Sequence, residues 1–127
     1  MTATCPCGSG GHLAACCGRW FAGPQHLQAP DAVALMRSRY SAFVLGLSDY
    51  LLATWHPSRR PPAIDFEPGL RWLGLQIKHQ ASTGEGAATV EFVARSKLGG
   101  RAHRLHETSR FVREGGQWFY VDGDIKA

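Results

Sequence analysis

The sequence predicts an α+β domain, with two helices packed on a curved four-stranded antiparallel sheet, preceded by a small cysteine-rich knuckle. Three observations predict it. All four cysteines fall between positions 5 and 17, apolar residues then recur at helical spacing, and after position 70 they alternate between glycine-rich turns. The 127 residues suffice for one ordinary domain plus this appendage. We expect a knuckle at 1–22, a linker at 23–30 and the main domain at 31–127.

The four cysteines form two close pairs within thirteen residues, in the run CPCGSGGHLAACC. Structural zinc sites are closed by four ligands in a tetrahedron, and thiolates are common among them. The glycine-rich run 8–11 suits a sharp turn because glycine tolerates positive φ, and a helical turn at 13–15 would return the second pair to the first. A site closed by protein ligands has no position for a substrate. The sequence therefore predicts a structural Zn²⁺ cofactor held by Cys5, Cys7, Cys16 and Cys17.

Two other interpretations of these cysteines stay open at this point. Disulfides would need a strained vicinal bridge between Cys16 and Cys17, a very short Cys5–Cys7 loop, or crossed pairs. The N-terminus lacks the basic and apolar segments of a secretory signal, so an oxidising compartment is not indicated and a cytoplasmic location is expected. Redox thiols would need C-x-x-C near a βαβ pattern, and neither is present. His12 is a candidate substitute ligand, although four cysteines already fill the site.

The composition describes a globular chain with a mild positive charge. Hydrophobic residues make up 44% of the sequence, which supports a packed core, and the formal net charge is +4. Four thiolates bound to Zn²⁺ lower that charge by two, to about +2, which is low for a surface that tracks phosphates. No run approaches the roughly twenty apolar residues of a membrane span. The sequence thus argues against membrane and nucleic-acid binding. If the protein did bind nucleic acid, two basic clusters are the candidates. They are Arg95, Lys97, Arg101 and Arg104, and Arg59 with Arg60.

The segment 18–30, which runs from the end of the knuckle through the linker at 23–30, is expected to be linker-like, because Gly23, Pro24 and Pro30 interrupt any regular element. Trp20 and Phe21 are too apolar to stay exposed in a free linker. We expect them to attach the knuckle to the main domain, with exposed aromatic residues that bind a partner as the alternative.

Two helices are predicted to follow the linker. Asp31 can cap a helix over 32–47, in which apolar residues recur at steps of three and four. Arg37 and Arg39 lie away from that apolar stripe, and Gly46 marks a bend or an end. A second, shorter helix is expected over 49–55, before Pro57. The stripe of the first helix comprises Val33, Met36, Tyr40, Phe43, Val44 and Leu47.

From position 70 the apolar period becomes that of strands. Leu73, Leu75 and Ile77 alternate with polar or small residues in the first strand. Glycine-rich turns separate it from three further strands. These are expected at 89–96, 101–113 and 117–121, with the chain ending in Asp122-Gly123-Asp124. The inward faces are expected to carry Val90, Phe92 and Ala94 on the second strand and Leu105, Glu107, Ser109 and Phe111 on the third.

Two sets of residues match patterns that known families share. The C-x-C pair, Gly8-Ser9-Gly10 and the final Cys-Cys resemble the SEC-C motif, a zinc-binding element named after the C-terminus of the secretion ATPase SecA. Leu13 replaces the aromatic residue usual in its spacer. The second set comprises LMRSRYSAFV at 35–44, Tyr50-Leu51, TWHPS at 54–58, Trp72, Gly74-Leu75, Val90-Glu91-Phe92, His106-Glu107, Ser109-Arg110-Phe111, Trp118, Tyr120, Asp122 and Gly123. It resembles the YchJ family of bacterial proteins, in which a SEC-C element precedes a nuclear transport factor 2-like domain. The resemblance implies a cone-shaped domain, zinc and a bacterial origin, without an activity.

Such a cone can enclose a pocket, and a few polar residues are candidates for chemistry in it. Glu107 is expected to point toward the interior, and His56 could pair with Glu107 or Asp122 as acid and base. The sequence favours a structural alternative. In it Arg37 or Arg39 neutralises Glu107, while His56 caps the second helix or bonds a backbone carbonyl. The other pocket candidates are Tyr40, Trp55, Ser109, Trp118 and Tyr120.

Three functions are consistent with these features. The first is a binding or adaptor protein, in which structural zinc makes a rigid surface for a protein partner. The second is an enzyme acting on a small hydrophobic molecule in the cone, with Glu107 or Asp122 and His56 as acid and base. The third is weak nucleic-acid binding through the basic clusters. The first is favoured because the metal site is closed and a compelling catalytic set is missing. The protein is expected to be a monomer or a homodimer.

Overall fold

Within residues 3–126, which the computed structural model describes, a cysteine knuckle and three helices precede a four-stranded sheet. The elements are a 3₁₀ turn (Leu13–Ala15), α1 (Gly18–Phe21), α2 (Ala32–Leu45), α3 (Ser48–Ala53), β1 (Arg71–Gly84), β2 (Ala87–Leu98), β3 (Arg101–Glu114) and β4 (Gln117–Ile125). The sheet order is β1-β2-β3-β4 and every pair is antiparallel, which confirms the predicted α+β class. None of the helices in this part of the chain has the length and apolar character needed to cross a membrane.

Both ends of α2 carry the capping residues that the sequence predicts. Asp31 Oδ1 accepts a hydrogen bond of 2.7 Å from the Ala34 N–H at the start of the helix. Gly46 follows the last turn with a φ of 72°, a left-handed conformation that ends the helix. The helix therefore stops at Leu45, slightly before the predicted end at position 47.

The sides of α2 are buried differently from the prediction of a single apolar stripe. Arg39, which the stripe leaves outside, is only 3% exposed, and Ser38 and Ser41 are fully buried. Val44, inside the stripe, is 37% exposed. The reason is that the knuckle, α3 and the sheet all pack on this helix, so more than one of its sides is covered.

The segment predicted as a linker contains α1, and both of its aromatic residues are packed. Trp20 is 6% exposed and belongs to the core of the main domain. The Phe21 ring meets the Tyr50 ring edge to face, with 4.9 Å between the centroids. The predicted attachment of the knuckle through Trp20 and Phe21 is confirmed.

Helix α3 corresponds to the second of the two predicted helices. It begins at Ser48 and ends at Ala53, slightly earlier than the predicted 49–55.

The core lies between the helices and one face of the sheet. Near the start of β1, a bulge changes which residues point to that face. Val90 on β2 and Phe111 on β3 are buried as predicted. In β1 the register shifts between Trp72 and Gly74, so Leu73 is an extra residue and is 56% exposed. Leu73 therefore does not continue the alternation that the sequence predicts with Leu75 and Ile77.

Strand β4 extends to Ile125, beyond the predicted end at position 121, and it also carries an irregularity. The register with β3 shifts between Tyr120 and Asp122, so Val121 is an extra residue. A one-residue insertion exchanges the two faces of a strand. Tyr120 therefore faces the interior, whereas Asp122 lies on the outer face and Gly123 lies opposite the buried Ser109.

Candidate metal centre and interior cavity

The four cysteine sulfurs lie within 4.8 Å of one another. Cys5 Sγ is 3.5 Å from Cys7 Sγ, and Cys7 Sγ is 3.7 Å from Cys16 Sγ. Zn–S bonds of about 2.3 Å in a tetrahedron place the sulfurs roughly 3.8 Å apart, so the spacing fits this ion. Cys5, Cys7 and Cys17 are buried, and all four are free thiols rather than disulfides. The cluster can hold a metal ion.

Tight turns bring the two cysteine pairs together. Gly8 and Gly10 have φ values of 84° and 86°, which glycine adopts without strain. The Cys5 N–H donates to the Gly11 carbonyl at 2.9 Å and closes the first turn. The predicted helical turn is present as the 3₁₀ turn Leu13–Ala15, which leads directly into the second pair.

The Cys5 sulfur accepts several hydrogen bonds, and such bonds stabilise the thiolate form that binds a metal ion. Burial opposes its ionisation, but hydrogen bonds from the backbone of Cys7, the Ser41 hydroxyl and the backbone of Cys17 lower the pKa of this thiol to about 6. Burial is the main cause that raises the pKa of the Cys16 and Cys17 thiols. At neutral pH the metal-free cluster thus retains protons, and metal binding has to displace them.

The knuckle is hydrogen-bonded to one side of α2. Ser41 Oγ lies 3.5 Å from Cys5 Sγ, and Arg37 Nη1 donates a hydrogen bond of 3.0 Å to the Cys7 carbonyl. Ser41 is a site residue that was not predicted from the sequence. Its position four residues after Arg37 could have identified it, because residues four apart lie on the same side of a helix.

A cavity with a volume of about 170 Å³ lies between another side of α2 and the sheet. The structure places four of the five predicted pocket residues at its wall, together with Glu107. Trp118, the fifth, packs against the core without lining the cavity. The four are Tyr40, Trp55, Ser109 and Tyr120.

Arg39 also lines this cavity, as a buried cation. Its Nη1 donates to the Leu51 carbonyl at 2.8 Å and to Thr54 Oγ1 at 2.7 Å. Its guanidinium carbon lies 5.1 Å from the centroid of the Trp55 ring and 4.7 Å from that of Tyr120. Burial lowers the pKa of Arg39 to about 10, so it keeps its proton at neutral pH. Within residues 3–126 it forms no ion pair with a carboxylate.

Glu107 is held by hydroxyl groups and makes no ion pair within residues 3–126, although the predicted neutralisation by an arginine is supported in part because the charges of Arg39 and Glu107 interact. Ser109 Oγ donates to Glu107 Oε2 at 2.5 Å, and the Tyr120 hydroxyl donates to the same oxygen at 3.4 Å. Burial, followed by the charge of Glu107, raises the pKa of Tyr120 to about 12, so its hydroxyl remains a donor. The carboxylate passes over Gly123, where a Cβ would overlap it.

The structure does not bring His56 and Asp122 to Glu107. His56 Nε2 lies 3.0 Å from Glu114 Oε1, and its Nδ1 accepts a hydrogen bond from the Ser58 N–H. Asp122 accepts a hydrogen bond of 2.5 Å from Arg110 Nε, because the register shift turns it to the outer face. The predicted acid/base set is therefore not assembled. The His56 ring bonds the Glu114 side chain and the backbone N–H of Ser58 instead of capping α3 or bonding a carbonyl.

The two predicted basic clusters differ in how they are engaged. Arg59 reaches Asp122 with 3.7 Å between Nη2 and Oδ2, and Arg60 Nε donates to the Trp55 carbonyl at 2.9 Å. Arg95 and Arg104 pair directly across β2 and β3, and both are exposed. The second cluster is thus partly bound within the protein, and the first is a solvated end of the sheet.

Comparison with family models matches both parts of the chain. Residues 31–123 match the model of the YchJ middle domain, which is NTF2-like, and residues 1–19 match the SEC-C motif. A UPF0225 protein of Bordetella parapertussis is 59% identical over 98% of this chain and 94% of its own length. Another, from Methylibium petroleiphilum, is 62% identical over 95% of this chain and 88% of its own length.

Two solved structures are similar to the whole fold. One is the solution structure of a SEC-C motif containing protein from Rhodopseudomonas palustris. It has a TM-score of 0.81 and 34% identity, over 97% of this chain and 98% of that one. The other is the crystal structure of a SEC-C motif containing protein from Psychrobacter arcticus, with a TM-score of 0.79 and 26% identity, over 97% of this chain and 82% of that one.

Proposed function

This chain belongs to the YchJ (UPF0225) family, as its residues predicted, and on that premise we propose that it is a binding protein built around a structural Zn²⁺ ion. The observation that carries the proposal is the clustering of four free thiols within 4.8 Å. Four protein ligands complete the coordination of zinc. The ion would therefore shape the chain, with no open position for a substrate.

The donor set supports zinc in particular. Thiolate ligands select soft or borderline ions such as Zn²⁺ over Mg²⁺ or Ca²⁺, which prefer oxygen. Hydrogen bonds to the Cys5 sulfur favour its ionised form, which is the form that binds metal. Cys5, Cys7, Cys16 and Cys17 would hold the ion. It would supply folding free energy to a segment too small to form a core of its own.

Elemental analysis tests the identity of the metal. Protein purified under reducing conditions without chelator should carry about one Zn²⁺ per chain and keep it through gel filtration. His12→Ala should retain the same zinc content, because His12 is exposed and lies outside the sulfur cluster. A folded, reduced protein without tightly bound zinc would contradict the proposal, as would loss of zinc in the His12 variant.

The partner in this proposal is a protein that contacts the outer side of the knuckle. The turn at 8–12 and the residues Ala14 and Ala15 are exposed, and metal ligands on both sides would keep that backbone rigid. A photo-crosslinking amino acid at Ala14 should capture a partner from the metal-loaded protein and lose it after chelation. The same amino acid at Ala102, an exposed alanine of β3, is the matched control. Equal capture at both positions, or capture unaffected by chelation, would contradict the proposal.

A further inference from the structure

We propose that the interior cavity binds a small, uncharged molecule with an apolar body and an amide-like head that both accepts and donates hydrogen bonds. The cavity lies between α2 and the sheet, and none of the four cysteines lines it. This proposal therefore stands or fails independently of the proposed zinc site.

The size and the walls of the cavity define the body of the ligand. Its volume of about 170 Å³ is close to that of an engineered cavity of roughly 150 Å³ that binds benzene in another protein. Apolar side chains form most of the wall, and several of them are aromatic. A single ring or a branched aliphatic group with a short head would fill this space. The apolar wall includes Met36, Phe43, Trp72, Phe92 and Leu105.

Two residues of the wall carry hydrogen-bond donors that a ligand can use. Trp55 Nε1 is buried, and within the described residues it has no hydrogen-bond partner. Arg39 uses Nη1 for Leu51 and Thr54; its Nε and Nη2 make no hydrogen bond within residues 3–126, but they are not among the fully buried atoms there that lack a partner. Leaving a buried donor unpaired is costly, and native proteins rarely do so without a bound group. The carbonyl oxygen of a ligand can accept from these donors.

Glu107 supplies an acceptor for the other half of the head. Its Oε2 accepts from Ser109 and Tyr120, whereas Oε1 has no donor among the described residues. Gly123 leaves room for this carboxylate, because any larger residue would overlap it. An N–H group of the ligand can donate to the free oxygen. A head with adjacent acceptor and donor atoms, such as an amide, matches both kinds of group in the wall.

The ligand is expected to be uncharged because the cavity already contains one basic and one acidic side chain, Arg39 and Glu107. A further charge would lose its hydration in a mostly apolar space and would find no unbalanced counter-charge there. An amide and a carboxylate on the same ring have nearly the same shape. The two compounds therefore separate the effect of charge from that of size.

An NMR titration of the full ¹⁵N-labelled protein with benzamide, benzoate and toluene tests the proposal. Benzamide should cause saturable shifts of the Trp55 indole N–H and of amides in β2 and β3. Its affinity should exceed those of benzoate and toluene by about tenfold or more, the effect of one well-made hydrogen bond. Tighter binding of benzoate than of benzamide would contradict the proposal that the ligand is uncharged. Absence of saturable shifts with all three probes would show a cavity that holds water only, and would overturn the proposal.

Three variants assign the binding to this cavity. Trp55→Phe removes the indole N–H and should weaken benzamide binding about tenfold. Glu107→Gln keeps the size of the side chain, removes the charge and should also weaken it. Trp118→Phe makes the same exchange as at position 55, but outside the cavity, and should leave the affinity unchanged. Equal weakening in the two tryptophan variants, or unchanged affinity in Trp55→Phe and Glu107→Gln, would contradict the site.

Discussion

Replacement of Cys7 by serine is expected to abolish tight zinc binding and to unfold the knuckle while the sheet stays folded. Cys7 is fully buried, and its sulfur lies 3.5 and 3.7 Å from those of Cys5 and Cys16. Zinc contributes about 10–16 kcal/mol to the folding of small sites of this kind, and a serine hydroxyl replaces a thiolate poorly. NMR should show amides of residues 3–17 at unfolded positions and those of β2 and β3 near native positions.

Two comparisons give this expectation its controls. His12→Ser introduces the same residue into the same segment outside the sulfur cluster, and should keep zinc and the native spectrum. The main domain should lose only the bonds that Ser41 and Arg37 make to the knuckle, about 1–2 kcal/mol by denaturant unfolding. Cooperative unfolding of the sheet in the Cys7 variant would show that the knuckle and domain are one folding unit, contrary to this expectation.

Replacement of Arg39 by alanine is expected to destabilise the main domain by roughly 3–5 kcal/mol, the scale for removing one member of a buried charged network. The change removes the donor to the Leu51 carbonyl and the cation between the Trp55 and Tyr120 rings. It also removes the positive charge of Arg39 that interacts with Glu107, and it enlarges the cavity. The free energy of unfolding in denaturant measures the loss.

Further substitutions at position 39 and near it separate the effect of the lost charge on stability from that of the lost side-chain volume. Arg39→Met keeps much of the side-chain volume and should lose less stability than Arg39→Ala. Adding Glu107→Gln to Arg39→Met should recover part of that loss, because the double variant leaves no unbalanced charge. Arg37→Ala, two residues away, should cost about 1 kcal/mol, since it loses one hydrogen bond to the Cys7 carbonyl. Equal losses for the two alanine variants would contradict a special role for Arg39.

The parts of the fold that depend on local spacing were predictable from the residues alone. The clustered cysteines indicated the candidate metal centre, because short turns alone bring residues so close in the chain together. Capping by Asp31 and Gly46, hairpins with glycine-rich turns and the inward face of β2 follow from the same local rules. Glu107 and Ser109 were placed correctly because alternation along β3 reached them without interruption.

Which polar residues meet in the cavity depends on how the helices pack against the sheet. Arg39 was placed off the apolar stripe because helical spacing identifies one apolar side, whereas packing by the knuckle, α3 and the sheet buries several. Asp122 was a candidate for the acid/base set because the local pattern does not reveal the extra residue Val121, and one inserted residue exchanges the faces of a strand. The separation of His56 from Glu107 could not be predicted, because His56 bonds Glu114, which lies 58 residues further along the chain. Contacts of this kind depend on the relative placement of whole elements, which residue spacing does not encode.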